Sequence, residues 1–282
     1  MNTINKVYNE VFNKLRGFNS PHIETELIIS KTLNLEKVQI YTYPEKIVPQ
    51  EKLQLIYKNL NLRLKRKPIE YIFNEKEFFC LNFYVDENVF IPRQETEFLV
   101  EEVIKLISTY NFTTIADIGT GCGNIAISIV KNIKSNIKMY ATDVSIKALD
   151  IAKKNAVLHN VEDRINFVLT DKLKYFIQNS IILDIIVSNP PYVTEEEYKN
   201  LQPEIYYEPK QALVTPTGLE FYKYFASYGK KVLAKDGYIV VEINPNLYDK
   251  ICELFKKNNF CICKTMYDYQ NLPRIIVVKF EK

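Results

Sequence analysis

Asn189, Pro190, Pro191 and Tyr192 stand in a row directly behind the apolar run 181–188. A strand ending there puts the tetrapeptide at the carboxyl edge of a sheet, where open α/β sheets carry their chemistry. Asn189 offers a side-chain oxygen and Pro190 a backbone carbonyl. Neither proline has an N–H, both fix φ, and each restricts the residue before it, so the two acceptors are held rigidly. Such a pair suits methyl transfer to a planar amino group, whose nitrogen is a poor nucleophile because its lone pair is delocalised. Two fixed acceptors bind its two N–H groups and leave the lone pair aimed at the methyl donor. Tyr192 adds an aromatic face or edge. The expected catalytic set is Asn189, Pro190 and Tyr192, with Pro191 completing the substrate-binding stretch; the alternative is an ordinary Pro-Pro turn after a strand.

A second constellation lies upstream. The chain has only seven glycines, and three of them, Gly119, Gly121 and Gly123, fall within five residues. Asp117-Ile118-Gly119-Thr120-Gly121-Cys122-Gly123 follows an expected strand and opens an expected helix, which is the context of a nucleotide-cofactor loop. Its spacing is GxGxG rather than the dinucleotide GxGxxG. Asp117 puts a carboxylate beside the turn that would repel a phosphate and suit an amino group. S-adenosylmethionine, cationic at sulfur and free of phosphate, fits that environment. Asp143 ends the next strand, where a carboxylate can accept both ribose hydroxyls, and Asp171-Lys172 ends the one after, at the adenine edge. Any one of these acids could simply cap the following helix; three around one glycine loop are harder to read so. The expected cofactor contacts are Asp117, Gly119, Thr120, Gly121, Gly123, Asp143, Asp171, Lys172 and Asn189, with no metal.

The elements that must position these residues can be read from periodicity. From residue 114, β-rich runs at 114–118, 137–143, 165–171, 181–188, 238–243, 260–267 and 274–280 alternate with helical segments, the pattern of βαβ units and a parallel sheet. The last two runs are joined by only six residues, too few for a helical crossover, so they should pair antiparallel. Seven strands ending this way predict an α/β, Rossmann-like class I methyltransferase fold with the last strand antiparallel. Before it, Ile4, Val7, Tyr8, Val11, Phe12 and Leu15 mark one helix. Ser20-Pro21 begins a second through about Leu33, and Leu53 to Leu64 marks a third. The expected organisation is a helical docking domain at 1–75, a connecting hairpin and helix at 76–113, and a methyltransferase domain at 114–282.

Composition narrows the class further. Of 282 residues, 47% are hydrophobic and 25% charged, the balance of a globular chain rather than a disordered one. The net charge of +3 does not mark a polyanion binder. Residues 1–75 hold 12 basic and 8 acidic side chains, leaving 25 and 26 for the remainder, so the expected catalytic part is not basic. Most of the amino-terminal excess is Arg63, Lys65, Arg66 and Lys67, read as a helix end favoured by its dipole in preference to a nucleic-acid or ribosome contact. Five cysteines without a CxxC pair indicate neither a disulfide framework nor a zinc site. With no signal peptide or membrane-spanning run, a cytoplasmic protein is expected.

Three further segments specify the chain more closely: Phe90-Ile91-Pro92-Arg93-Gln94-Glu95-Thr96-Glu97, Tyr207-Glu208-Pro209-Lys210-Gln211-Ala212-Leu213 and Gly218-Leu219-Glu220-Phe221-Tyr222. Together with the glycine loop and the Asn-Pro-Pro-Tyr element, they resemble the HemK family, the release factor glutamine methyltransferases, over nearly the full length. The resemblance implies a five-helix amino-terminal domain that helps hold a peptide chain release factor. It also implies transfer of methyl from S-adenosylmethionine to the glutamine amide of that factor's Gly-Gly-Gln motif; separately, a monomer is expected. Gln94, Cys122, Lys172 and the Glu242-Ile243-Asn244-Pro245 stretch depart from the family pattern; they bear on cofactor affinity and loop shape more than on reaction type. The nearest rival, methylation of an exocyclic base amine in DNA or RNA, would call for a basic groove or a target-recognition domain. A non-catalytic cofactor-binding protein would need no Asn-Pro-Pro-Tyr element.

Overall fold

The computed structural model describes residues 1–280, and the chain separates into two compact units. The first comprises Met1–Asn74 together with Pro203–Tyr207. It contains helices α1 (Ile4–Leu15), α2 (Pro21–Leu33), α3 (Lys37–Thr42), α4 (Gln50–Leu64) and α5 (Ile69–Phe73). Five helices match the family resemblance. Periodicity alone marks three, because α3 and α5 are too short to show a repeating apolar face. Ile4, Val7, Val11, Ile28, Ile56 and Leu60 form this unit's own buried core.

The basic run at the end of α4 is engaged within this unit. The Arg63 guanidinium, 5% exposed, donates from Nε to Glu24 Oε2 at 2.7 Å and from Nη2 to Glu24 Oε1 at 3.0 Å. The same Nη2 reaches Glu204 Oε1 at 2.9 Å, and Arg66 pairs with Glu204 at 3.3 Å. Both guanidinium carbons stand 4.2 Å from the centroid of the Phe18 ring. A charge buried this deeply is tolerable only with such partners, so ion pairing joins the helix dipole as the reason for these residues.

The second unit runs over Glu75–Gln202 and Glu208–Lys282. It opens with a hairpin, β1 (Lys76–Phe78) and β2 (Leu81–Phe83), whose two turn residues Phe79 and Cys80 both have positive φ. A short 3-10 turn at Gln94–Thr96 leads into α6 (Glu97–Tyr110). Then follow β3 (Thr114–Ile118), α7 (Asn124–Asn132), β4 (Lys138–Asp143), α8 (Ile146–Leu158), β5 (Ile165–Leu169), α9 (Lys174–Gln178), β6 (Leu183–Ser188), α10 (Glu195–Tyr198), α11 (Glu220–Tyr228), β7 (Leu233–Glu242), α12 (Tyr248–Lys257), β8 (Phe260–Tyr267) and β9 (Pro273–Phe280).

The seven strands from β3 onward form one sheet in the order β5-β4-β3-β6-β7-β9-β8, with β9 antiparallel to both neighbours and the other pairings parallel. The fold class and the antiparallel end are therefore as the run lengths predict. Alternate strand residues feed two cores. Ile115, Ile185, Val240 and Val277 pack against α6 and α7, while Ala116, Ile186, Ile239 and Ile276 pack against Tyr222 and Phe225 of α11 and Phe255 of α12. The β8–β9 turn is closed by Asp268, whose carboxylate accepts the Gln270 and Leu272 amides and pairs with Arg274 at 2.7 Å. Among the described residues, no helix is long and apolar enough to cross a membrane.

Candidate active site

Strand register brings the two sequence constellations together. Asp117 pairs with Val187 and Ile118 with Thr142, while Ser188 pairs with Val241 and Asp143 with Leu169. Gly119, Asp143, Asn189 and Glu242 thus lie at one level along the carboxyl edge of neighbouring strands, with Asp171 two residues past the β5 partner of Asp143. The Ser188 hydroxyl donates to the Ile118 carbonyl at 2.6 Å, tying the base of the tetrapeptide to the base of the glycine loop.

The three loop glycines differ in what they are for. Gly119 (φ +78°) and Gly121 (φ +55°) are left-handed, and a Cβ at either would have no atom within 4 Å. Their missing side chains leave open space above the loop, a cradle that lets a ligand approach the backbone. Gly123 (φ +85°) is packed instead: its Cβ would stand 3.1 Å from the Ala152 side chain and 3.0 Å from Ile127, so it sets how closely α7 approaches α8.

Asp117 lies beneath the loop, fully buried. One oxygen accepts the Thr120 hydroxyl at 2.6 Å; the other has no hydrogen-bond partner among the described residues. Burial pushes its pKa up to about 7, against the pull of the Thr120 hydroxyl and the nearby Ala126 amide in the first turn of α7. A carboxyl at the positive end of that helix occupies the position where a phosphate would otherwise be favoured, which agrees with a phosphate-free cofactor. Thr120, 2% exposed, faces Asp117 rather than the cradle.

Asp143 accepts the Gly121 amide at 3.0 Å on one oxygen and the Ser145 amide at 2.9 Å on the other. It therefore clasps the glycine loop to the start of α8, and the helix-capping reading and the loop-side reading describe the same carboxylate. Burial raises its pKa, opposed by those amides. Asp171 is paired with Lys172 and with Lys174, each at 2.8 Å, and the two ammonium groups hold its pKa below the ordinary value despite some desolvation. Lys172 adopts a left-handed backbone (φ +52°) and places its ammonium 4.7 Å from the centroid of the Phe221 ring. An aromatic face is thus present at this edge, supplied by α11.

In the tetrapeptide, Asn189 Nδ2 donates to the Thr96 hydroxyl at 3.1 Å. Neither its Oδ1 nor the Pro190 carbonyl accepts a hydrogen bond among the described residues. Two uncommitted acceptors on consecutive residues are what the methyl-transfer reading requires. The Tyr192 hydroxyl donates to Glu242 Oε1 at 3.1 Å, and burial together with the Glu242 charge drives its pKa upward. Its ring is therefore anchored at the far end. Beyond it, the Val193 amide donates to the Leu213 carbonyl and the Val193 carbonyl accepts the Thr215 amide, each at 2.9 Å, which fixes the exit of the tetrapeptide. No group of three or more potential metal ligands occurs among the described residues.

Similarity to known proteins bears on family and fold. Residues 82–222 match the model of the methyltransferase small domain, and residues 7–73 match that of the PrmC N-terminal domain. A release factor glutamine methyltransferase from Flavobacterium psychrophilum is 40% identical over 262 residues, covering 90% of this chain and 86% of the relative. Another from Dictyoglomus turgidum is 35% identical over 272 residues, covering 94% of each. The chain belongs to the release factor glutamine methyltransferase family. Among solved structures, the hMettl16 catalytic domain in complex with an RNA hairpin superposes with a TM-score of 0.56 at 16% identity over 83% of both chains, a likeness of fold.

The family segments also acquire physical reasons. Arg93 and Glu208, one from each of two such segments, form an ion pair, and Glu208, 4% exposed, also accepts the Ile91 amide. Sequence reasoning gives Thr96, Gly218 and Glu242 no individual role, naming them only as parts of the 90–97, 218–222 and 242–245 segments, and Asn155 goes unmarked. Asn155, fully buried, holds the Tyr84 backbone on both sides and the Cys122 carbonyl at 2.9 Å. Glu242 could have been found by the argument used for Asp143, since it is an acid at the carboxyl end of β7, the strand beside β6.

Proposed function

We propose that this chain transfers a methyl group from S-adenosylmethionine to the side-chain amide nitrogen of the glutamine in the Gly-Gly-Gln motif of peptide chain release factors. The observation that carries the reading is the pair of free acceptors, Asn189 Oδ1 and the Pro190 carbonyl, one strand away from a glycine cradle open on its upper side. When bound, the cofactor supplies an electrophilic methyl on a sulfonium. Gly119 and Gly121 would let its amino-acid portion lie against the backbone, Asp143 would accept from the ribose hydroxyls, and Asp171 with Lys172 and Phe221 would border the adenine. Asn189 and Pro190 bind the two N–H groups of the glutamine amide, which fixes the amide plane so that the nitrogen lone pair, perpendicular to it, is presented to the methyl. No carboxylate, imidazole or thiol is hydrogen-bonded to either residue among the described residues. The site therefore works by orientation, and the alkylated nitrogen, made acidic, yields its proton to water.

The release-factor substrate is drawn from the names of the curated relatives. Mass spectrometry of purified release factor after incubation with the enzyme and S-adenosylmethionine should find one added methyl on that glutamine. An unmodified factor, with methyl appearing instead on an adenine of added DNA or RNA, would overturn the reading. Asp143→Ala is expected to weaken binding of the demethylated cofactor by about 1.5–3 kcal/mol, the worth of hydrogen bonds to a charged acceptor. Calorimetry measures it directly.

A further inference from the structure

We infer that Thr96 is a positioning residue for methyl transfer: its hydroxyl, held by the buried Glu242 carboxylate, dictates which end of the Asn189 amide faces the methyl acceptor. The inference rests on the proposed function, in which Asn189 must present oxygen to an N–H.

A threonine hydroxyl has one proton and two lone pairs. Thr96 Oγ1 lies 2.6 Å from Glu242 Oε2 and 3.1 Å from Asn189 Nδ2. An ionised carboxylate only accepts, so the single Thr96 proton is committed to Glu242. The lone pairs of Oγ1 then face Asn189, and only the NH2 end of the amide can satisfy them. The opposite orientation would set Oδ1 against those lone pairs and turn a donor toward the substrate's own N–H, which is repulsive on both sides. Thr96 and Glu242 are 1% and 2% exposed, so their hydrogen bond is sheltered from bulk water.

Glu242 binds the other end of the tetrapeptide as well, since its Oε1 accepts the Tyr192 hydroxyl. One carboxylate thus fixes the first and last residues of the Asn-Pro-Pro-Tyr stretch. Burial disfavours its charge, as does Glu95. The two hydroxyl donors and Arg274 from β9 favour it, and Tyr222 from α11 directs its own hydroxyl to the Glu242 carbonyl at 2.8 Å. Thr96 reaches this position from the turn that opens α6, which gives the 90–97 segment a part in catalysis without contact with the substrate.

The test compares Thr96→Val, near in shape but without the hydroxyl, with Thr96→Ser, which restores it. On a Gly-Gly-Gln peptide, Thr96→Val should lower kcat about tenfold or more, as for loss of a pre-organised contact, with KM moving less than about threefold. Thr96→Ser should recover most of the rate. In an Asn189→Ala background, Thr96→Val should have no further effect on kcat, because there is no amide left to orient. Binding of the demethylated cofactor and thermal melting establish that each variant is folded. Independently of any substrate, NMR of the cofactor-product complex should show the Asn189 side-chain NH2 protected from exchange, and Thr96→Val should remove that protection. Full kcat in Thr96→Val, equal losses in both backgrounds, or an unprotected NH2 in the wild type would each overturn the inference. A wild type inactive on the peptide but with Thr96-dependent protection would instead overturn the proposed substrate and leave the positioning role standing.

Discussion

Asn189→Asp is expected to lower kcat on a Gly-Gly-Gln substrate by about 10²-fold while changing cofactor affinity only slightly. The substitution keeps size and shape, so its effect is one of hydrogen-bond polarity and charge. Asn189 donates to Thr96, whose own proton is held by Glu242. An ionised aspartate has no proton to offer there; it sets a charge against the Thr96 lone pairs and near a second buried carboxylate, and the side chain must turn away. The added negative charge lies on the side of a cationic cofactor, so ground-state binding does not suffer. A like charge nearby raises a carboxyl's pKa, and once protonated the introduced acid becomes a mimic of the amide, with O–H for Thr96 and C=O for the acceptor. The ratio of variant to wild-type rate should accordingly rise as the pH is lowered, beginning above the ordinary aspartate range, whereas Asn189→Ala should show no such rise. Steady-state rates of both variants across pH measure this. Near-normal turnover in either at neutral pH would mean that Asn189 does not orient the attacking amide, and the tetrapeptide would be only a turn.

How far the sequence discloses this site depends on the range of the interaction concerned. Strand positions follow from local apolar runs, and β8 occupies the expected 260–267 span without a shift. The 238–243 run understates β7, which begins at Leu233: an irregularity at Lys235, Asp236 (φ +70°) and Gly237 interrupts the apolar pattern and shifts the register before pairing with β6 resumes at Tyr238. The glycine loop and the tetrapeptide are legible because their chemistry is written in consecutive residues. What is not legible is whatever joins distant segments: Thr96 to Glu242 spans 146 positions, and Asn155 to Tyr84 spans 71. The assignment of Pro203–Tyr207 to the amino-terminal unit is hidden for the same reason, since only the burial of Arg63 shows that Glu204 has work there. Asp117 illustrates a subtler limit: spacing places a carboxylate beside the loop but not its depth, and burial beneath Thr120 makes it a support of the loop as much as a hand toward a ligand.

Gly218→Ala should cost about ten- to a hundredfold in kcat although residue 218 carries no functional group. Gly218 has φ +74°, a conformation that costs an ordinary residue about 1–2 kcal/mol, and its N–H donates to the Thr215 hydroxyl at 3.1 Å, which keeps the turn in place. An alanine Cβ would stand 2.6 Å from Leu247 Cδ1 and 2.7 Å from the Tyr192 carbonyl oxygen. Leu247 can rotate away. The carbonyl has no such freedom, because the Tyr192 hydroxyl is bound to Glu242 and the Val193 amide to the Leu213 carbonyl at 2.9 Å. The displacement must therefore pass into the Asn-Pro-Pro-Tyr backbone, where a shift of about 1 Å is enough to lose a hundredfold in rate. Cofactor affinity should be nearly unchanged, since the glycine loop joins β3 to α7, whereas the atoms a Cβ at 218 would meet belong to Leu247 and Tyr192. Gly17→Ala provides the contrast: its φ is ordinary, nothing lies within 4 Å of its Cβ position, and activity should be unaffected. Measured together, the pair separates loss of a particular backbone position from loss of glycine as such. Full kcat in a folded Gly218→Ala enzyme would show that the Tyr192 carbonyl can yield without moving the acceptors, and that the tetrapeptide is held by its side chains alone.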